Sequence, residues 1–285
     1  MKKDARLLKV AQAFALGRKL ENLQYIGKGA FKETYKITDK YGNDFALKLF
    51  DPLKCVMERA KREIDSMLKC DTPLIAKLYD YGEFAFPGGG KYYFAKEELL
   101  EGGTLNDRLK REVLTITTIK EIAKKLISAL DYLRLRDLVH RDIKPENIMF
   151  RKNSDVPVLA DFGIVRDLSK SSLTPTWLSE GPGTPYYSSP EQLNNEKQLI
   201  SWRTDQFSLG IVLGICITGR HPFTANGKTE VDTVIAIAKR DKCNCKFADD
   251  IIKREFDWLL RMIEPWPIRR FNLPNEILKC IDMKE

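Results

Sequence analysis

The segment His140-Arg141-Asp142-Ile143-Lys144-Pro145-Glu146-Asn147 is followed, nineteen positions after Asp142, by Asp161-Phe162-Gly163. Together they supply a carboxylate base, a cation and two hard oxygen donors, at the spacing of a loop returned by a short hairpin. Phosphoryl transfer needs such a set, because its barrier is lowered mainly by aligning the nucleophile and neutralising phosphate charge. Asp142 is suited to accept or orient a hydroxyl proton, and Lys144 to sit against the transferring phosphate. Asn147 and Asp161 are suited to Mg²⁺, which takes few protein oxygens and keeps the rest of its shell for water and phosphate.

Elements able to position these groups follow from periodicity. Residues 4 to 20 place Leu7, Leu8, Ala11, Phe14 and Ala15 on one side of a helix, opposite Lys and Arg. That face either packs on its own domain or docks a partner or membrane surface. Strands are expected at Gln24-Tyr25-Ile26, Thr34 to Thr38, Asp44 to Phe50, Leu78 to Tyr81 and Tyr92 to Leu99, with a helix over 52 to 70. After Glu101-Gly102-Gly103 the pattern turns helical: Thr118 to Arg136, Asp205 to Thr218, Thr229 to Ala238, Asp250 to Met262 and Pro274 to Cys280. A strand-rich front and a helix-rich back predict an α+β protein in two lobes, with the glycine pair as a hinge.

The catalytic-loop and metal-loop segments match the signatures of the eukaryotic-type (Hanks-type) serine/threonine protein kinases, and the chain resembles that family from about residue 20 to 282. The resemblance implies a small β-rich lobe over 20–100 and a larger helical lobe over 101–285, preceded by a helical extension over 1–19. It implies an ATP- and Mg²⁺-dependent enzyme that phosphorylates a protein Ser or Thr hydroxyl. Lys144, two after Asp142, is the Ser/Thr form of the loop. Gly27-Lys28-Gly29 between two strands is then the loop over the triphosphate, and Lys48 in Phe45-Ala46-Leu47-Lys48 is the phosphate clamp. The partner of Lys48 is Glu63, one turn before Met67, or Glu58. Ile26, Ala46 and Met149 are assigned to nucleotide binding, and the backbone of Glu98 and Leu100 to the adenine edge.

Three positions depart from the family pattern. Lys32 stands at the third glycine and Thr34 at the usual valine. Glu97 stands at the gatekeeper position, where a carboxylate needs a partner or a raised pKa. Either it pairs with Lys96 or another cation outside the pocket, or the register there is shifted by one.

The peptide side of the resemblance runs to Gly183-Thr184-Pro185-Tyr186-Tyr187-Ser188-Ser189-Pro190-Glu191. The segment before it carries Ser169, Ser171, Ser172, Thr174, Thr176 and Ser179. A phosphate between Ser169 and Thr176, paired with Arg141, would order this activation segment; the alternative is a merely polar, flexible loop. Glu191 is expected to pair with Arg270, and Asp205 to brace the catalytic loop.

Bulk properties narrow the class. In 285 residues, 43% are apolar and 31% charged, as in soluble globular proteins. The longest apolar run, Leu209 to Thr218, is well short of the ~18 residues a membrane span needs and predicts a buried helix. The start lacks the apolar block of a secretory signal. Six scattered cysteines suit a reducing cytoplasm, and Cys243-Asn244-Cys245 with only two histidines in the chain is poor material for a zinc site. The net charge of +8 is interleaved with acidic residues, so no nucleic-acid partner is expected. The leading expectation is an active kinase, with autophosphorylation as a further outcome. A pseudokinase scaffold and a small-molecule kinase are the alternatives. No feature specifies an oligomeric state.

Overall fold

A computed structural model describes residues 4–29, 32–53, 64–65, 67–161, 166–167 and 185–283. By its contacts the chain divides into two compact units, Met1–Glu101 and Gly102–Glu285. The first is built on five antiparallel strands: β1 Glu21–Lys28, β2 Lys32–Thr38, β3 Asp44–Phe50, β4 Leu78–Ala85 and β5 Lys91–Glu98, in the order β1-β2-β3-β5-β4. Alternation sorts the side chains of β3 to opposite faces. Leu47 and Leu49 join Tyr35, Ile37, Tyr92 and Phe94 in one core, while Ala46 and Lys48 lie on the other face with Ala95 and Glu97.

Helix α1, Ala5–Gly17, covers the first of those faces. Asp4 caps it by accepting from the N–H of Arg6, and the Asp4 N–H donates to the buried Glu33 carboxylate at 2.9 Å. Leu7, Val10, Ala11 and Phe14 enter the sheet core, and Phe14 packs against Phe84 and Phe94 with ring centroids 5.3 and 4.7 Å apart. Arg6 binds Asp51 at 2.5 Å, and Arg18 lies over the rings of Phe14 and Phe94. The apolar face is therefore spent on its own sheet, which removes the docking alternative. Val10 replaces Leu8 as a fully buried member; Leu8 is only partly covered. Of the helix expected over 52–70, residues 54–63 and 66 lie outside the described set, and residues 64, 65 and 67 are helical.

The second unit holds α2 Leu105–Arg111, α3 Ile116–Arg134, α4 Pro190–Leu193, α5 Trp202–Thr218, α6 Glu230–Ala238, α7 Cys245–Lys253, α8 Trp258–Met262 and α9 Pro274–Asp282. Four short strands accompany them: β6 Leu138–Val139 pairs with β9 Arg166–Asp167, and β7 Ile148–Phe150 with β8 Pro157–Leu159. The stripe Ile119, Ile122, Ala123, Leu126, Ala129, Leu130 and Leu133 of α3 is buried. Nearly all of α5 is buried too, and its two glycines allow close packing. A Cβ at Gly210 would stand 2.6 Å from Ile263, and one at Gly214 2.8 Å from Phe247.

One expectation changes, and another gains a packing constraint. The single helix over Asp250–Met262 is two, because Glu255 takes a left-handed φ of 64°. The Phe256 N–H then donates to Ile251 and the Glu255 N–H to Ile252, closing α7 in a Schellman turn whose hydrophobic member, Phe256, is fully buried. The glycine pair, at the boundary between the two units, also answers to local packing. Gly102 N–H donates to the Phe150 carbonyl and Phe150 N–H to that of Gly103, and a Cβ on Gly102 would meet Arg151 O at 2.5 Å. Gly103 adds a φ of 80°.

Glu191 on α4 and Arg270 form a bidentate pair at 2.7 and 3.0 Å, both side chains fully buried. The guanidinium also donates to the carbonyls of Glu264, Arg203 and Pro265, and Thr204 Oγ1 donates to Glu191. Every strong donor of Arg270 is thus used, which is the condition for a buried charge pair to persist.

Two stability measurements follow from this packing. Phe14→Ala should lower the unfolding free energy of the first unit by about 3–5 kcal/mol in urea titration, the cost of a large core truncation. Arg270→Met should cost the second unit about 3–5 kcal/mol by stranding Glu191, while Glu191→Leu/Arg270→Met recovers much of the loss.

Candidate active site

The catalytic loop is held from below by Asp205 in the first turn of α5. Its two carboxylate oxygens accept the backbone N–H groups of His140 and Arg141, each at 2.7 Å. Burial pushes this carboxyl up to about 7, and the two N–H donors oppose the shift. The N-terminus of α5 adds a favourable field for the ionised form. Arg141 takes a left-handed φ of 68°, a strained choice for a residue with a long side chain. Its N–H is tied to Asp205 and its C=O to Gln192 Nε2 at 2.8 Å, so both ends of the strained unit are fixed. His140, fully buried, spans the loop: Nε2 meets the Ala160 carbonyl at 3.2 Å, and Nδ1 accepts the Asp142 N–H at 3.4 Å.

On this support Asp142, Lys144 and Asn147 converge. Asp142 Oδ2 accepts from Lys144 Nζ and from Asn147 Nδ2, both at 2.8 Å, and Asn147 Nδ2 also donates to the Asp142 carbonyl. Burial pushes the Asp142 carboxyl up to about 6, Lys144 pulls it back, and the nearby charge of Asp161 adds to the rise. A group poised there is largely ionised at neutral pH yet basic enough to take a proton. The Asn147 amide spends its nitrogen on Asp142, which turns its oxygen, a hard donor, away from that bond. Backbone pairing of β7 with β8 brings Asp161 back toward Asn147: Ala160 N–H donates to Asn147 O at 2.9 Å. Asp161 has φ 63°, a second left-handed residue at the end of the same hairpin. An amide oxygen and a carboxylate are hard donors that fit Mg²⁺, and a cation would relieve the repulsion that Asp161 exerts on Asp142.

Residues expected on the peptide side sit around His221. Its Nε2 contacts the Tyr186 carbonyl at 2.9 Å and its ring lies 4.1 Å from that of Tyr186. Burial holds His221 down at about 4, so it is neutral at physiological pH. Ser189 caps α4 through Gln192, the side chain that also binds Arg141 O. No signal in the sequence marked Gln192 for that role. Phe162, Gly163, Gly183, Thr184 and the hydroxyl-bearing residues from Ser169 to Ser179 lie outside the described residues.

In the first unit, Thr34 faces Lys48, Lys48 faces Ala95, and Ala46 faces Glu97. Lys48 Nζ lies 2.8 Å from Glu97 Oε2, and both residues are buried. The cation that Glu97 takes is thus Lys48, not Lys96, whose ammonium lies over the Phe45 ring. Glu63 and Glu58, the expected partners of Lys48, lie outside the described residues. Gly29 N–H donates to Lys32 O, and the Lys32 ammonium lies over the Phe50 ring. Gly27 and Gly29 have no left-handed φ, and a Cβ on Gly27 would meet nothing within 4 Å. Glu98 N–H bonds Lys77 O at 2.8 Å, Leu100 is buried, and Ile26 is exposed on β1. Met149, in the second unit, is half-buried on β7 and bridges to Thr104.

Residues 20–279 match the model of the protein kinase domain. A probable myosin light chain kinase of Dictyostelium discoideum is 34% identical over 204 residues, 70% of this chain and 62% of its own length. The serine/threonine-protein kinase PknD of Mycobacterium tuberculosis is 32% identical over 210 residues, covering 72% and 30%. The CBL-interacting serine/threonine-protein kinase 20 of Arabidopsis thaliana is 30% identical over 263 residues, covering 90% and 57%. The chain therefore spans less than two thirds of each of these relatives. With a kinase-domain match across almost its whole length and the catalytic-loop geometry above, the chain belongs to the protein kinase family.

Proposed function

We propose that this protein is an ATP-dependent serine/threonine kinase that moves the γ-phosphoryl group of ATP to a protein hydroxyl. The observation that carries the reading is Asp142, largely covered, ionisable near neutrality and held at 2.8 Å by both Lys144 and Asn147. As the substrate oxygen bonds to the γ-phosphorus, its proton passes to Asp142 and the bond to the β-phosphate oxygen breaks, releasing ADP. Lys144 lies where it neutralises charge gathering beside Asp142. Asn147 and Asp161 are the proposed Mg²⁺ ligands; the ion, when bound, would neutralise phosphate charge. Lys48 is the proposed phosphate clamp, with Glu63 as a second carboxylate available to it. Gly27 and Gly29, which no backbone strain or crowding requires to be glycine, are the proposed phosphate cover. Ile26, Ala46 and Met149 would contact the adenine, and the backbone of Glu98 and Leu100 its edge.

The acceptor peptide would run past Tyr186 and His221. Control through phosphorylation between Ser169 and Thr176 is part of the proposal, including by the enzyme on itself. It is supported by Arg141, whose backbone is fixed on both sides and whose guanidinium can answer a phosphate. A cytoplasmic site of action is proposed from the free thiols Cys70, Cys216, Cys243, Cys245 and Cys280. Among the described residues no helix is long and apolar enough to cross a membrane. Nucleic acid has no place in the reading, since basic side chains such as Lys36, Arg108 and Lys124 answer acidic neighbours.

Labelled Mg·ATP with a generic protein substrate should give labelled serine or threonine. Asp142→Ala should lower that rate about 10²- to 10⁴-fold, the worth of a positioned base; unchanged turnover would remove Asp142 from the chemistry and favour a scaffold. The pH profile provides a second check. Because the base acts ionised, kcat/KM should fall below pH 6, the value to which burial lifts Asp142. Lys144→Met removes the charge that lowers this pKa, so the acidic limb should move to higher pH. A limb that stays in place would assign it to another group.

A further inference from the structure

Cross-strand pairing of β3 with β5 sets Ala46 against Glu97 and Lys48 against Ala95, so Lys48 and Glu97 leave the same side of the sheet one diagonal step apart. The ammonium and Glu97 Oε2 are 2.8 Å apart, with the two residues only 8% and 2% exposed. The other oxygen, Oε1, is buried and has no hydrogen-bond partner among the described residues. As a stabilising device this is a poor arrangement. Two charges lose their hydration for one contact, and a carboxylate oxygen is left without a donor. The fully satisfied pair Glu191–Arg270 shows what this chain builds where a buried ion pair serves the fold. The small neighbours Ala46 and Ala95 leave Glu97 as the side chain beside Lys48 on β5 that can hold its charge.

We infer that Glu97 is a positioning residue for Lys48, holding the ammonium on the sheet so that the phosphates of ATP meet a cation already oriented. The inference rests on the proposed role of Lys48 as phosphate clamp. Glu97 acts through the lysine and need not touch the transferred group. Its position on β5 is fixed by the strand ladder, so the orienting contact is set by the sheet itself and does not depend on Glu63. Loss of the carboxylate would leave the lysine charge in place but its direction undetermined.

The test is a double-mutant cycle on the full chain: wild type, Glu97→Gln, Lys48→Met and the double variant, in steady-state kinetics with Mg·ATP and in thermal unfolding. Glu97→Gln keeps the shape and removes the charge. It should lower kcat/KM for Mg·ATP about tenfold in the wild-type background, within the range of contact coupling. It should change the residual rate of Lys48→Met less than twofold, because the group it orients is then gone. Equal losses in both backgrounds would mean a merely structural lesion and overturn the inference, as would Glu97→Gln with unchanged kcat/KM. Full activity in Lys48→Met would instead overturn the reading of Lys48 as clamp, separating the two failures. Equilibrium binding of Mg·ATP to the same four proteins closes the cycle where Lys48→Met turns over too slowly to time.

Discussion

Two hydrogen bonds from the backbone of His140 and Arg141 to one buried carboxylate set the conditions for everything the second unit does. Asp205 is 1% exposed and accepts both N–H groups at 2.7 Å. Those amides belong to a loop that would otherwise relax, since Arg141 has a left-handed backbone that costs on the order of 1–3 kcal/mol for a residue with a side chain. Charge-assisted bonds of this kind are about twice as strong as neutral ones. The strain is therefore outweighed, and the direction of Asp142, the next residue, is inherited from the helix rather than from the loop. Since α5 is buried along nearly its whole length and closely packed through Gly210 and Gly214, the aspartate has little freedom to move. The placement of Asp142 thus begins in the helix core.

Three ion pairs among the described residues, two of them buried and one partly exposed, differ in how completely they are satisfied, and the difference bears on what each can do. Glu191–Arg270 is bidentate, fully enclosed and surrounded by carbonyl acceptors. Lys144–Asp142 is partly open, with Asp142 lifted toward neutrality by burial and Asp161. Lys48–Glu97 leaves one carboxylate oxygen without a donor among the described residues. Desolvation costs several kcal/mol per ion, so only the first arrangement is suited to hold structure. The other two keep charge in positions where an arriving cation or phosphate would complete them.

Local chemistry made much of this legible. Strand β3 runs over Asp44–Phe50 as its alternation indicated, while the helix expected over Thr118 to Arg136 runs over Ile116–Arg134, its start set by Thr115, whose side chain accepts the N–H of Thr118. The pair Glu191–Arg270 was readable only through the family resemblance, because 79 residues separate its members. Where the reading failed, the deciding contact was non-local or broke a residue preference. Glu255 occupies a left-handed position that glycine usually marks, so nothing signalled the end of α7. At Gly102, which lies at the boundary between the two units, the crowding carbonyl 2.5 Å away was invisible because it belongs to Arg151, distant in sequence. Glu97 was recognisable as anomalous, but its partner depends on the register between β3 and β5, which are distant in sequence.

Strand β3 also explains why an amphipathic helix belongs with Lys48. Leu47 and Leu49 point into the core that α1 closes, while Ala46 and Lys48 point the other way. With a side-chain period of two, a slip of one residue would exchange the two sets, burying Lys48 under Phe14 and turning Leu47 toward Glu97. Each apolar contact from Leu7, Val10 and Phe14 therefore penalises the wrong register as well as stabilising the right one. Glu33 strengthens the same choice: it accepts from Tyr35 at 2.7 Å and from the Asp4 N–H, tying the start of α1 to β2 beside β3. The helix never needs to approach the lysine to determine where it points.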